Sequence, residues 1–346
     1  MGFLKNNSLS ASHEAFVLNF KRPSGTSRGI LAQKKSWKLM LTNAEGSSGL
    51  GECSVIPGLS PDYHSDMQYE EQLDRVCQNP LLFIEKKELL LDFPSILCGL
   101  ESAYCDLLNG GKGIYFNSAK SKSGFKIPIN GLIWMGDETF MQDQIEDKIA
   151  AGFSCIKLKV GAIDFQQELK LLAGIRSRFD ASKITLRVDA NGAFGLNDVL
   201  WKLEELSKLD IHSIEQPIKA GSWEEMSGLC AKTPLPVALD EELIGVGLRS
   251  SKIDLLDMIQ PQYIILKPSL HGGFSGTQEW IELAEERMIP WWITSALESN
   301  IGLNAIAQFT AEFNPTLPQG LGTGGLYETN FDTPLHIKKG FLHYQF

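Results

Sequence analysis

From Ile127 onward the chain alternates short apolar runs with longer amphipathic segments. The runs are rich in branched residues, as buried strands are, and the segments between them have apolar residues at helical spacing. The runs read IPINGLIW, CIKLKV, ITLRVDA, IHSIEQ, PVALDE, QYIILK, PWWITS and QGLGTG, and helices are predicted around 138–150, 164–178, 196–208, 222–231, 249–256, 275–287 and 300–312. This alternation predicts parallel βαβ units closed into a TIM-type barrel. A doubly wound sheet is the alternative, although about five or six strands are more usual for it.

The first part of the chain has a different pattern. EAFVLNFKR and SWKLMLTNAEGSSGLGE resemble hairpin strands that break at Gly, Asn and Ser. Two helices are predicted, in 62–80 before Pro80 and in 95–111, where Gly110 and Gly111 supply a stop signal. The region is therefore predicted to be α+β, with a domain boundary near residue 124.

Charged residues end five successive barrel strands. They are Lys157 and Lys159, then Asp189, Glu215, Asp240 and Lys267, and 25 to 30 residues separate each strand-end residue from the next. Lys157 and Lys159 lie two positions apart, so both side chains point to the same face of their strand. The carboxyl ends of the strands are where barrel enzymes place their chemistry. We therefore expect all six side chains at one mouth of the barrel.

Three carboxylates that converge on one point repel each other unless a cation lies between them. Asp, Glu and Asp without His or Cys form an all-oxygen set that suits Mg²⁺. Each residue also has an ordinary interpretation: Asp189 as a turn residue in DANG, Glu215 as a solvated charge, Asp240 as a helix cap, and the two lysines as surface side chains. The joint placement in barrel register favours the metal and lysine site.

Composition excludes several classes of function. The net charge is −10 at pH 7 and no basic stripe is present, so a nucleic-acid partner is not expected. The six cysteines are dispersed, as in a protein with reduced thiols, and no apolar run is long enough to span a membrane. The first residues lack the apolar core of a signal peptide, so a cytoplasmic location is expected. The oligomeric state is left open.

The motifs KLK, VDAN, IEQP, ALDE and LKP resemble those of the enolase superfamily, in its muconate-lactonizing-enzyme-like subgroup. GLGECSVIPGLS resembles the loop of its capping domain, and LESAYCDLL the helix that precedes its barrel. The resemblance implies a (β/α)₇β barrel with an N-terminal α+β capping domain. It assigns residues 1–124 to the capping domain and 125–325 to the barrel, with the tail 326–346 packing on the capping domain.

The resemblance also implies roles for individual residues. Lys159 would be the base, Lys157 would hold the substrate carboxylate, and Lys267 would be the cation on the opposite face. The other implied roles are Mg²⁺ ligation, with Mn²⁺ as a substitute, by Asp189, Glu215 and Asp240, substrate contact by Ser295, and support of the ligands by Asn191 and Glu241.

PINGLIWMG, KPSLHGGFSG, ITSALESNIGLNAIAQF and PQGLGTGGLY resemble the branch that dehydrates a succinylated hydroxycyclohexadiene carboxylate in menaquinone biosynthesis. A small carboxylate substrate is therefore implied. An N-succinylamino-acid racemase or a dipeptide epimerase is the alternative, since lysines on two strands also suit a two-base reaction. The GLGTGG segment lacks the acidic pair with which the epimerases hold an ammonium group. A non-enzymatic barrel would require a broken set of charged residues, and the set here is intact.

Overall fold

The computed structural model describes residues 9–26, 29–134, 136–161 and 163–345. The prediction that residues 1–8 are not part of a signal peptide therefore lies outside the described residues. The chain begins with an antiparallel sheet in the order β1 (Ser10–Thr26), β2 (Gly29–Thr42) and β3 (Ser48–Ser54). Its buried face carries the alternating side chains Trp37, Leu39 and Leu41, as expected for a sheet with one covered face.

Helices α1 (Asp66–Gln78) and α3 (Pro94–Leu108) pack on this sheet, and α2 (Pro80–Glu85) contacts both of them. Helix α1 begins where Ser65 Oγ accepts the N–H of Gln68 at 3.3 Å. Helix α3 lies so close to β3 that a Cβ at Gly51 would overlap the carbonyl oxygen of Gly99. The GLGE motif therefore has glycine where two backbones must meet.

The rest of the chain builds the barrel. The elements are, in order, α4 (Ala119–Ser123), β4 (Phe125–Pro128), β5 (Gly131–Ile133), α5 (Glu138–Ala150), β6 (Cys155–Lys159), α6 (Phe165–Arg178), β7 (Thr185–Asp189), α7 (Val199–Ser207), β8 (Ser213–Glu215), α8 (Trp223–Lys232), β9 (Val237–Leu239), α9 (Arg249–Ile259), β10 (Tyr263–Leu266), α10 (Gly273–Glu286), β11 (Trp291–Ile293) and α11 (Asn300–Glu312). Strands β5 to β11 pair in parallel and in sequence order. This order has no reversal, so the doubly wound alternative is wrong and the predicted fold class is confirmed.

The eighth strand is reduced to two residues. Gln319 forms a parallel bridge with Ile129, and Gly320 forms one with Thr294. The N–H of Asn130 donates to Gln319 O at 3.0 Å, and the N–H of Gly320 donates to Ile293 O at 2.8 Å. These bonds join the two edges of the parallel sheet and close the barrel.

The first predicted barrel strand is divided between two sheets. Its second half is β5, whereas its first half, β4, pairs antiparallel with the C-terminal hairpin of β12 (Leu335–Lys338) and β13 (Phe341–Tyr344). Lys339 and Gly340 have φ values of 49° and 72°, as a two-residue hairpin turn requires.

Another part of the tail contacts the N-terminal sheet. Tyr327 bridges Phe20, and Lys21 N–H donates to Leu326 O at 2.9 Å. The tail therefore contacts both parts of the chain, and the domain bounds at 124/125 and 325/326 stay a prediction. None of the described helices has the length and apolar character needed to cross a membrane.

Candidate active site

The charged strand-end residues meet at one edge of the barrel. Lys159 is the register partner of Asp189, and Asp189 is that of Glu215, across β6, β7 and β8. Asp240 and Lys267 directly follow β9 and β10. Because the strands are parallel and in register, the structure brings the six predicted residues to one mouth.

The lysines and carboxylates are paired directly. Lys157 Nζ lies 2.9 Å from Asp189 Oδ2 and also contacts Glu215, while Lys159 Nζ lies 3.0 Å from Asp189 Oδ2. Lys267 Nζ pairs with Asp240 Oδ2. The carboxylate side chains are 0 to 4% exposed and the three lysine side chains 12 to 13%, so little solvent screens these charges.

Burial and pairing shift the pKa values of these groups in opposite directions. Burial alone would lower the pKa of Lys157, but Asp189 and Glu215 outweigh it and raise that pKa. Burial likewise opposes ionisation of Asp189, yet Lys157 and Lys159 hold its pKa below the usual range. For Glu215, burial and the neighbouring Asp189 raise the pKa well above the usual range. The site therefore favours the charged form of Asp189 and disfavours the charged form of Glu215.

Asn191 links Lys159 to Glu241. Its Oδ1 accepts from Lys159 Nζ at 2.5 Å, and its Nδ2 donates to Glu241 Oε1 at 3.0 Å. Its own N–H donates to Asp189 Oδ1 at 3.0 Å, which forms the Asx turn that DANG suggests. Asp189 therefore forms the turn and also lies among the charged residues at the barrel mouth.

A cavity of about 210 Å³ opens beside these groups. Lys157, Lys159, Lys267 and Ser295 line it, with Ser295 Oγ 2.6 Å from Thr323 Oγ1. Its apolar wall comes from both parts of the chain and includes Leu31, Ile56, Leu59, Trp134, Leu297 and Leu326. Asp240 does not line the cavity, but its partner Lys267 does.

The donor set fits a hard divalent cation. Among the described residues no group of three metal-ligating side chains is arranged to chelate an ion, since each carboxylate is drawn to an ammonium group. Asp240 Oδ1, however, is buried and accepts no hydrogen bond from any described residue. A buried carboxylate oxygen without a donor, beside two more carboxylates, is what an oxygen-preferring cation would satisfy.

Two supporting residues were not predicted. Gln216 Oε1 accepts from the N–H groups of Asp240 and Glu242, both at 3.2 Å, and so holds the turn that carries Asp240. Arg187 is 2% exposed, donates from Nη1 to Pro318 O at 2.7 Å and stacks 3.9 Å over Trp292. Its spacing of two from Asp189 would have placed it on the inward face.

Fold and site together define a barrel enzyme with an enolase-like capping domain and facing lysines and carboxylates at its mouth. The sequence profile of the enolase C-terminal domain-like family matches residues 141–345. The chain belongs to the enolase superfamily, as its motifs indicated.

Two curated relatives carry the same name. An o-succinylbenzoate synthase of Desulfotalea psychrophila is 47% identical over 96% of this chain and 98% of its own length. Another, from Bacillus subtilis, is 26% identical over 94% of this chain and 88% of its own length. The crystal structure of MenC from Desulfotalea psychrophila LSv54 superposes with a TM-score of 0.84 at 44% identity, covering 96% of this chain and 99% of that one.

Proposed function

We propose that this protein is an o-succinylbenzoate synthase, which dehydrates 2-succinyl-6-hydroxy-2,4-cyclohexadiene-1-carboxylate to o-succinylbenzoate. The observation that carries the proposal is the pairing of three lysines with three buried carboxylates at one mouth, beside a partly apolar cavity. The relative from Desulfotalea psychrophila, matched over nearly the whole chain, supports the particular reaction.

Lys159 and Lys157 have different roles toward the substrate: Lys157 holds its carboxylate and Lys159 removes the neighbouring proton. Both line the cavity from the same strand, so one ammonium can hold the carboxylate while the neighbouring amine removes the proton beside it. Lys159 must be neutral to act as the base, and its Nζ lies 3.0 Å from Asp189 Oδ2.

Asp189, Glu215 and Asp240 would hold Mg²⁺. When bound, it would supply positive charge that stabilises the two oxygens of the enediolate. Burial and Asp189 raise the pKa of Glu215, so a bound cation would favour its charged form. Asn191 and Glu241 would hold the ligands and Lys159 in place through their hydrogen bonds.

The remaining step releases water. Lys159, now an ammonium, returns its proton to the departing hydroxyl, so substrate gives o-succinylbenzoate and one water. Lys159 ends β6, the second strand of the barrel, and Lys267 follows β10, the sixth. The two lysines therefore lie on opposite sides of the barrel mouth. Lys267 then contributes positive charge toward the ring without exchanging a proton.

The test is a direct assay of purified protein with the cyclohexadiene substrate, followed by the loss of diene absorbance. Turnover should be fast with Mg²⁺ and absent in excess EDTA. No turnover with Mg²⁺ refutes the synthase, whereas full turnover in EDTA refutes the metal assignment alone.

N-Succinylamino-acid racemase is the second candidate. The facing lysines Lys159 and Lys267 favour it, because a two-base racemase needs one on each side of the substrate carbon. Exchange of solvent deuterium into both enantiomers of an N-succinylamino acid would reveal it. Dipeptide epimerisation is disfavoured by Gly322, Thr323 and Gly324, which offer no carboxylate for an ammonium group.

A further inference from the structure

The segment that joins β11 to α11 places Ser295, Ala296 and Leu297 in the wall of the candidate active-site cavity. Leu297 has a φ of 61°, in the left-handed region. This region is unfavourable for leucine, because the Cβ atom comes too close to the following carbonyl oxygen. A backbone conformation of this kind persists only where the surrounding structure holds it, and it occurs often at sites that bind ligands.

Two buried side chains hold this segment in place. Tyr327, in the C-terminal tail, donates its hydroxyl hydrogen to Leu297 O at 2.6 Å. Glu298 Oε2 accepts the N–H of Ala296 at 2.7 Å, and its Oε1 accepts from Ser269 Oγ at 2.6 Å. Because Tyr327 and Glu298 are both buried, water does not compete for these bonds. The backbone is therefore held on both sides of Leu297.

Tyr327 also connects this segment to the N-terminal sheet. The centroid of its ring lies 4.8 Å from that of Phe20 on β1, and the two residues form an antiparallel bridge. Phe20, Tyr327, Leu297 and Ile56 belong to one cluster of buried apolar side chains. The packing of the tail against the N-terminal sheet therefore fixes the position of the Tyr327 hydroxyl.

The left-handed conformation decides the direction of the Leu297 side chain. Rotation about the N–Cα bond to an ordinary negative φ would swing Cβ away from its present direction. In the observed conformation the side chain forms part of the apolar wall of the cavity. It has no group that could take up a proton or a charge, so it can contact only the carbon atoms of a bound molecule.

We propose that Leu297 binds the apolar part of the substrate, and that Tyr327 is a positioning residue that keeps Leu297 in its left-handed conformation. The inference rests on the proposed function and adds to it a role for the C-terminal tail. A contact with carbon atoms that do not react stabilises the bound substrate and the transition state equally. Its loss therefore raises KM and leaves kcat nearly unchanged.

The test measures kcat and KM with the cyclohexadiene substrate. Leu297→Ala should raise KM at least about tenfold while kcat changes by no more than about threefold. Tyr327→Phe keeps the ring on Phe20 and loses only the hydroxyl, so KM should rise about fivefold at nearly unchanged kcat. Tyr115→Phe is the matched control. It loses a buried hydroxyl that donates to Ile301 O at 3.5 Å away from the cavity, so its KM should equal that of the wild type.

A double variant separates positioning from structural support. Leu297→Gly accepts a positive φ without strain and removes the side chain, so the further change Tyr327→Phe should not raise KM again. Leu297→Gly should also melt at a higher temperature than Leu297→Ala, because only glycine is unstrained at this φ.

The inference is overturned by an unchanged KM in Leu297→Ala, or by an equal rise in KM when Tyr327→Phe is made in the wild type and in Leu297→Gly. A lower melting temperature of Leu297→Gly than of Leu297→Ala would overturn the role of the strained backbone. Absence of turnover by the wild type with Mg²⁺ would instead refute the proposed function itself, and this inference with it.

Discussion

Two regions of the molecule bury charge, and they neutralise it in different ways. At the barrel mouth, Lys157, Lys159 and Lys267 are neutralised by carboxylates on neighbouring strands. At the contact between the N-terminal region and the barrel, Glu52, Glu298 and Lys34 are held by backbone groups and hydroxyls.

At the contact between the N-terminal region and the barrel, the charged side chains form hydrogen bonds with backbone groups, which are dipoles held in place by the fold. Glu52 accepts the N–H groups of Ser299 at 3.0 Å and Gly302 at 2.9 Å, at the first turn of α11. Glu298 accepts the N–H of Ala296 at 2.7 Å, and Lys34 donates to Val55 O at 2.6 Å.

The charges at the barrel mouth can exchange partners, whereas those at the contact between the N-terminal region and the barrel cannot. An ammonium group in an ion pair can give its place to a metal ion or a substrate, whereas a helix N-terminus cannot leave its carboxylate. We therefore expect substitutions at the mouth to change turnover and substitutions at the interdomain contact to change stability.

The largest effect should come from the two facing lysines. Lys159→Arg should abolish dehydration, a loss of about 10³-fold or more, because arginine cannot readily give up its proton. Lys267→Arg keeps the charge and should retain measurable turnover, reduced by the misfit of a larger planar group. The measurement is kcat with the cyclohexadiene substrate. Equal turnover by the two variants would place the base on another strand.

Glu215→Gln should have the next largest effect on turnover. Removing one ligand charge should lower kcat by about 10²-fold or more and raise the Mg²⁺ concentration needed for half-maximal activity. The metal-free variant should melt close to the wild-type temperature, because burial and Asp189 already raise the pKa of Glu215 and so disfavour its charge. A large fall in Tm with unchanged Mg²⁺ dependence would assign Glu215 a structural role.

Glu52→Ala tests the permanent charge. It leaves the N–H groups of Ser299 and Gly302 without an acceptor at a helix N-terminus, so the free energy of unfolding should fall by about 3 kcal/mol. Urea denaturation measures this loss, and the exposed Glu14→Ala should change stability by no more than about 0.5 kcal/mol. An unchanged urea midpoint for Glu52→Ala would show that the contact contributes little.

The last predicted effect is a pH dependence of stability at Lys34. Burial lowers its pKa from 10.5 to about 8, so between these pH values the unfolded chain binds more protons than the folded one. Stability of the wild type relative to Lys34→Met should therefore rise by about 3 kcal/mol between pH 8 and 10.5. Urea denaturation across this range measures it, with Lys208→Met on the surface as the control. A difference that stays flat would mean that Lys34 keeps its charge throughout.

Much of the site could be predicted because local rules determine it. Alternation in KLK and RVD assigns side chains to the inner face, and the strand ends of a parallel barrel share one edge. The supporting residues Gln216 and Glu52 follow no such local rule. The bonds of Gln216 reach Asp240 over 24 residues that include α8 and β9, and those of Glu52 reach Ser299 over 247 residues. Sequence spacing contains no trace of such contacts.

By itself, the sequence determined the order of strands and helices and the charge at each strand end, because both follow from backbone periods of two and 3.6 residues. Tertiary structure alone decided which charges pair, since Asp189 pairs with Lys157 and Lys159, whereas Asp240 pairs with Lys267. It also reduced the eighth strand to Gln319 and Gly320, and it buried His271 Nε2 without a hydrogen-bond partner among the described residues. These outcomes depend on how the barrel closes and how the N-terminal region docks, and both are long-range contacts that no local pattern encodes.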